Sequence, residues 1–473
     1  MYKLLLCCRY LRTRYLAFAC IISVMLGVAT LIVVNSVMGG FSTKLKERLH
    51  GLLSDIVIES NSLDGFAGPT AHMELIRQSP AGKHIAAMTP TVEVFAMLQF
   101  RKYGQTVTRA VRLIGVDPAG RTAIGGFAEH LVRQKNNPAP SFDMPPEAQW
   151  RYMNNHPPQL WPAHGFEEAE AGAIGNQPPP PEPPPTVVKL PHGIIVGNAI
   201  ASYRKRSDNL EEPPKTIYVL DPGDDVMITT ISGAKMAPVF DRFVVCDFFN
   251  SEMSEYDANY VFVPLDYLQR LRAMEDRVTS IQIKLNRHAD PKEVVQELGQ
   301  LYPEGSGFLV QTWEDKQGPL LAAISIEKGI LNILLFLIIG VAGFGILAIF
   351  SMIVVEKTRD IGILKALGAS NGGVLTIFLT YGLLLGAVGA TLGTALGVWI
   401  TVEINRIEKF LTKVTGHEIF DRQVYYFKDI PTDIQPMSVA LIILGSVGIA
   451  VLFSVLPALR AALLHPVRAL RYE

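Results

Sequence analysis

The chain has 473 residues, enough for several domains, and 49% of them are apolar, with a mean hydropathy of +0.25. Those values are high for a purely soluble protein. A formal charge of -1 provides no global basic surface and argues against a nucleic-acid binder. The four cysteines, Cys7, Cys8, Cys20 and Cys246, lack the spacing of a disulfide framework or a thiolate metal site.

Residues 1–14 hold Lys3, Arg9, Arg12 and Arg14 and precede an apolar run beginning at Tyr15. The run is roughly twice as long as a signal-peptide core and ends at no small-residue cleavage site, so it reads as an uncleaved anchor over 15–40. At about 1.5 Å per residue it spans a hydrocarbon core of about 30 Å with some tilt. A helical apolar pattern continues through Phe41, Leu45, Leu49, Leu52 and Leu53, among Lys44, Lys46, Glu47 and Arg48. Two readings stay open: a stalk packed on the next domain, or a surface on which Met38, Phe41 and Leu45 line an entrance for acyl chains.

Residues 41–326 are far too long for a loop. Strand-like runs at 55–60, 106–115, 215–220, 225–231, 260–264 and 278–285, with helical patterns at 264–274 and 291–301, predict an α+β domain. Between about 135 and 191 lie roughly half of the chain's 31 prolines. This stretch reads as a polyproline-II or unstructured insertion dividing two lobes, one around 92–116 and one around 194–231. Glu252, Glu255 and Asp257 read as a solvated loop.

Apolar runs at 330–355, 372–402 and 436–459 predict three more spans, joined outside by a loop over 403–435 and followed by a tail over 460–473. Lys357, Arg359 and Lys365, with Arg460, Arg468 and Arg471 and the basic N-terminus, place both termini inside, although Lys44, Lys46 and Arg48 weaken the asymmetry. Gly389, Gly393 and Gly397 recur every fourth residue, and Gly382 and Gly386 form a second pair, the pattern of a close helix-packing face. No G-x-x-x-x-G-K-[ST] loop, H-E-x-x-H or G-x-S-x-G motif is present, so no P-loop, catalytic residue or metal ligand is assigned.

The short segment 356–370 reads EKTRDIGILKALGAS. At helical spacing Thr358, Gly362, Ala366 and Ala369 form a face of small residues, while Glu356, Lys357, Arg359, Asp360 and Lys365 supply charge and Ile361, Leu364 and Leu367 supply apolar knobs. Gly368 closes the segment. Periodicity alone leaves an ordinary interfacial helix and a force-transmitting one both standing.

This segment resembles the coupling helix of the ABC permeases grouped with macrolide exporters, cell-division permeases and lipoprotein-releasing permeases. Arg9 to Arg12, Val37 to Phe41, Gly115 to Pro118, Gly193 to Asn198, Phe262 to Leu265, Thr312 to Glu314 and Pro466 to Glu473 are similar to the lipoprotein-releasing branch in particular. The stretch from about 134 to 190 lies outside the resemblance. The fold implied is an α-helical membrane protein with four transmembrane helices, one N-terminal and three C-terminal, plus a large two-lobed α+β extracytoplasmic domain. Residues 41–326 would be a MacB-like periplasmic core and 330–464 an FtsX-like permease domain.

The resemblance further implies a non-catalytic inner-membrane subunit whose residues at 356–368 dock on a separate ABC ATPase. That partner would hold ATP and Mg, this chain holding no cofactor. The remaining partners implied are a second permease copy or related permease, lipoprotein cargo, a periplasmic acceptor and membrane lipid. The activity implied is ATP-driven extraction of lipoproteins from the outer leaflet. The alternatives are a signalling permease that regulates a cell-wall hydrolase, and an exporter of another amphiphilic cargo.

Overall fold

The computed structural model describes residues 15–465 except 63, 103, 156–189, 206–214, 234–236, 304 and 416–428. The basic residues before 15, the prolines at 178–185 and the ending from Pro466 lie outside the described residues. The described residues form two compact units, one gathering 15–47 with 318–415 and 429–465, the other Arg48–Gln317.

Helix α1, Tyr15–Leu52, has 38 residues, which at about 1.5 Å each is far longer than a hydrocarbon core. Its first half is apolar all round, and its last turn, from Arg48, belongs to the large domain.

In that domain β1 (Ile56–Ser60), β2 (Ile85–Lys102), β3 (Gln105–Val116), β4 (His192–Gly197), β5 (Asp225–Ile231), β6 (Pro238–Phe249), β7 (Tyr260–Pro264), β8 (Ser280–Leu285) and β9 (Phe308–Thr312) form one sheet. Their order is β9-β1-β8-β2-β3-β7-β4-β6-β5. Strand β2 organises it. Its first part pairs with β8 from Ile85 to Thr91, and Met97–Gln99 pairs with β5, so the strands from β2 round to β5 close on themselves. Ala96, Leu98 and Phe100 are buried while Phe95 and Met97 are exposed, the two-residue alternation of a strand with one face on a core. Leu98, Leu113, Ile194, Val196, Phe243 and Val263 lose all exposure in one cluster, each burial contributing about 1.5–3 kcal/mol.

Helices α2 (Pro69–Gln78) and α4 (Pro291–Leu301) both open on proline at a first-turn position, where its missing N–H costs nothing. Asp290 caps α4 by accepting from the Lys292 N–H at 2.9 Å, and Val294 and Leu298, one turn apart, seal it to the core.

The structure revises three expectations here. The segments 92–116 and 194–231, expected in separate lobes, contribute to one sheet and one core, because β4 pairs with β7 and β6, and β5 returns to β2. The first part of the proline-rich stretch is folded, with α3 (Pro146–Asn155) packing Ala148 and Tyr152, beside Met144, onto Val244. Ala148 and Tyr152 lie one turn apart on α3 and Met144 just before its start, an apolar pattern masked in the sequence by the surrounding prolines.

The third concerns the acidic cluster, in which Glu252 and Glu255 are exposed as expected but Asp257 sits in a built corner. Asp257 is fully buried, its Oδ1 accepting from both the N–H and Oγ of Ser251 at 2.7 Å, while Arg48 donates to the Glu252 carboxylate at 2.8 Å and carbonyl at 2.7 Å. Burial raises the Asp257 carboxyl from its ordinary 3.8 to about 6, against the bonds from Ser251. The folded chain therefore holds a proton that the unfolded chain releases between these values. Stability should fall as pH rises through that window, by up to roughly 3 kcal/mol at about 1.4 kcal/mol per pH unit, and stay flat above it. Thermal melts of the purified protein at pH 4.5 and 6.5 check this: Asp257→Asn is expected to abolish the difference attributable to this group, and an unchanged pH slope in the variant would refute the assignment.

In the other unit, α5 (Gly318–Glu356), α7 (Asn371–Val402) and α9 (Pro436–Ala462) join α1 as, among the described residues, four helices long and apolar enough to cross a membrane. Helix α6 (Thr358–Ala366) lies between α5 and α7, and α8 (Ile404–Thr415) follows α7, so the segment expected as a plain loop over 403–435 begins with a helix. Val28, Ile32, Phe350, Ala390 and Ala450 form the dry centre of the bundle, while Ile333, Phe336, Leu337, Val341 and Phe344 of α5 face outward. Outward apolar residues of this density suit a hydrocarbon environment.

Candidate functional site

The link between α5 and α7 is a tightly built turn–helix–turn. Lys357 separates α5 from α6, donating its N–H to the Ile353 carbonyl at 2.9 Å while its Nζ pairs with Asp360 Oδ2 at 2.6 Å. Thr358 Oγ1 donates back to the Val354 carbonyl at 3.0 Å. At the other end Gly368 adopts φ +95°, a left-handed conformation that suits glycine, and the Ala369 N–H returns to the Leu364 carbonyl at 3.0 Å. Ser370 then caps α7 by accepting from the Gly373 N–H at 3.1 Å.

The two sides of α6 differ in kind. Thr358, Ile361 and Gly362 are buried, with Ile361 packed among Val354, Val374 and Ala461. Lys365 Nζ donates to the carbonyls of Ala462 and Leu464 at 2.7 and 2.6 Å, tying α6 to the chain at the end of α9. Leu364 is half-buried. Glu356, Arg359, Ile363, Ala366, Leu367 and Gly368 face outward, Leu367 being 81% exposed.

Of the expected apolar knobs, therefore, Leu367 is presented to solvent, Ile361 is consumed by the bundle, and Leu364 is intermediate. Within the expected small-residue face, Thr358 and Gly362 pack inward but Ala366 points out. Ile363 belongs to the exposed surface without having been singled out. The spacing Arg359, Ile363, Leu367, one residue per turn, is the signal that marks it.

The glycines of α7 divide between two neighbours. A methyl at Gly382 would lie 2.5 Å from Ser454 Oγ, and one at Gly386 2.7 Å from Ala450 Cβ, both on α9. On α1, a methyl at Gly389 would lie 2.8 Å from Val24 Cβ, one at Gly393 2.7 Å from the Met25 carbonyl, and one at Gly397 3.0 Å from Ala29 Cα. The span thus approaches both helices at backbone distance. Met38, Phe41 and Leu45 follow one another along α1 and are each half-buried. Nearby, Gly40 meets the backbone of Thr432, and the Asp433 N–H donates to the Ser36 carbonyl at 2.9 Å.

The FtsX-like permease C-terminal family matches residues 332–466. The lipoprotein-releasing system transmembrane protein LolC of Xylella fastidiosa is 24% identical, over 98% of this chain and 97% of its own length. LolC of Neisseria meningitidis is 26% identical over 98% of each chain. LolE of Haemophilus influenzae is 28% identical over 46% of this chain and 52% of its own. Over nearly its whole length this chain is similar to the LolC-type ABC permeases, and it carries an FtsX-like permease domain. Together with the four apolar helices, that makes the permease a multi-pass protein of the inner membrane.

Proposed function

We propose that the permease extracts lipoproteins from the outer leaflet of the inner membrane, driven by ATP and Mg bound on a separate ABC ATPase. One observation carries the coupling: α6 is anchored to the bundle by Ile361 and Lys365 while Arg359, Ile363 and Leu367 stay exposed. A push on that exposed stripe would be passed to the ends of α5, α7 and α9 rather than absorbed by a loose loop. The names of the relatives supply the cargo class.

In this reading α6 and both termini are cytoplasmic and the large domain is outside, as the basic residues around 357–365 favour. A second copy or a sister permease completes the transporter, and released cargo passes to an acceptor.

Proteoliposomes holding the permease, its co-purified ATPase and an acylated lipoprotein test this. ATP should move the lipoprotein from the membrane fraction to a soluble acceptor. Sustained ATP hydrolysis with no release of acylated protein would overturn the extraction reading in favour of a signalling permease.

A further inference from the structure

Helix α8 is divided lengthwise into three faces. At about 100° per residue, Asn405, Glu408 and Thr412 fall on one arc, Arg406, Lys409 and Lys413 on a second, and Ile407, Phe410, Leu411 and Val414 on a third. The first faces the protein: Glu408 is buried, Thr412 Oγ1 donates to its carboxylate at 3.3 Å, and Asn405 accepts from the Ile430 N–H at 2.8 Å. The other two are outward. Phe410 and Val414 are each 67% exposed, and Arg406, Lys409 and Lys413 are exposed beside them. Water is a poor solvent for such an apolar arc, and its position shows what replaces water. No charged residue occurs in α7 between Ser370 and Glu403, and the exposed Trp399 lies in the last turn of α7, less than two turns before the start of α8. Tryptophan and the first charge after a span mark the membrane boundary. Helix α8 thus starts at that boundary, on the side opposite α6, with an apolar arc bordered by cations, the pattern of a helix lying in the interface plane.

We propose that α8 is an in-plane membrane helix, with Ile407, Phe410, Leu411 and Val414 among acyl chains and Arg406, Lys409 and Lys413 against the phosphates of anionic lipid. Its inward face, pinned by Asn405 and Glu408, makes it a lipid-contacting shelf fixed to the exit of α7. The lipid order and charge there would bear directly on the position of that span.

Tryptophan scanning of the full chain in phosphatidylglycerol-containing vesicles tests the placement, with the signal of the unsubstituted protein subtracted. The emission added by Phe410→Trp and by Val414→Trp is expected to be blue-shifted and quenched by lipids brominated in the upper acyl chain, and that added by Thr412→Trp to escape this quenching. In vesicles of phosphatidylcholine alone, or with Lys409→Gln and Lys413→Gln added, the quenching at 410 should fall. Emission at 410 that is red-shifted and quenched by aqueous iodide would put α8 in water. Emission that is blue-shifted but untouched by either quencher would mean that a protein surface, such as a second copy, covers it. Either result overturns the proposal, and neither depends on what cargo the permease carries.

Discussion

Leucine in place of Gly393 is expected to prevent the membrane bundle from closing. Even the first carbon of a side chain at 393 would meet the Met25 carbonyl at 2.7 Å and Val28 Cβ at 2.8 Å, and the carbonyl belongs to a helix backbone that cannot rotate aside. Overpacking of this kind costs about 1–3 kcal/mol in ordinary cores, and a branched four-carbon side chain against backbone lies at or beyond the upper end. Helices α1 and α7 would have to separate, opening the cluster around Val28, Ile32 and Ala390. Gly448→Leu provides the contrast, since a methyl there meets nothing within 4 Å. The measurement is membrane yield and thermal unfolding in detergent for both variants. A Gly393→Leu protein as stable as Gly448→Leu would show that α1 and α7 do not pack at backbone distance.

The second large effect concerns α6. Leu367→Asp is expected to weaken capture of the ATPase by about tenfold or more, equivalent to about 1.4 kcal/mol, and to reduce ATP-driven release in proportion. Leu367 is 81% exposed and Arg359 lies two turns before it on the same side, so neither change disturbs the bundle. Arg359→Glu should act in the same direction by placing an anion where the partner meets a cation. Ile361→Asp separates docking from folding, because it puts a carboxylate among Val354, Val374 and Ala461 and should lower stability before it affects docking. The readout is co-purification of the ATPase with each variant, beside thermal unfolding of the permease alone. If Leu367→Asp and Arg359→Glu retain the ATPase and release cargo normally, α6 is an ordinary span-end helix.

The four apolar helices and the small-residue faces of α7 are legible in the sequence because each depends on local composition or on spacing within one helix. Twenty or more apolar residues predict a span wherever they occur, and glycine every fourth residue predicts a close-packed face before the partner is known. Which partner could not be read. Gly382 and Gly386 meet α9, whereas Gly389 and Gly393 meet α1, a division set by how three helices cross.

Local pattern also misled where tertiary contacts decide the environment. Asp257 has the sequence surroundings of a solvated acidic loop, yet its burial follows from Ser251 and the packing of the segment around it. The helix at 146–155 is hidden by proline content, because docking of Met144, Ala148 and Tyr152 on Val244 outweighs the composition around it. Within α6 the sequence by itself determined that a short charged and apolar helix links two spans. The tertiary structure alone decided that Ile361 is spent inside, that Lys365 is tied to the end of α9, and that Arg359, Ile363 and Leu367 remain for a partner. The physical reason is that periodicity orders residues around a helix, whereas the direction of each face is set by contacts with residues about a hundred positions away in the chain, Ala461 and Ala462 among them.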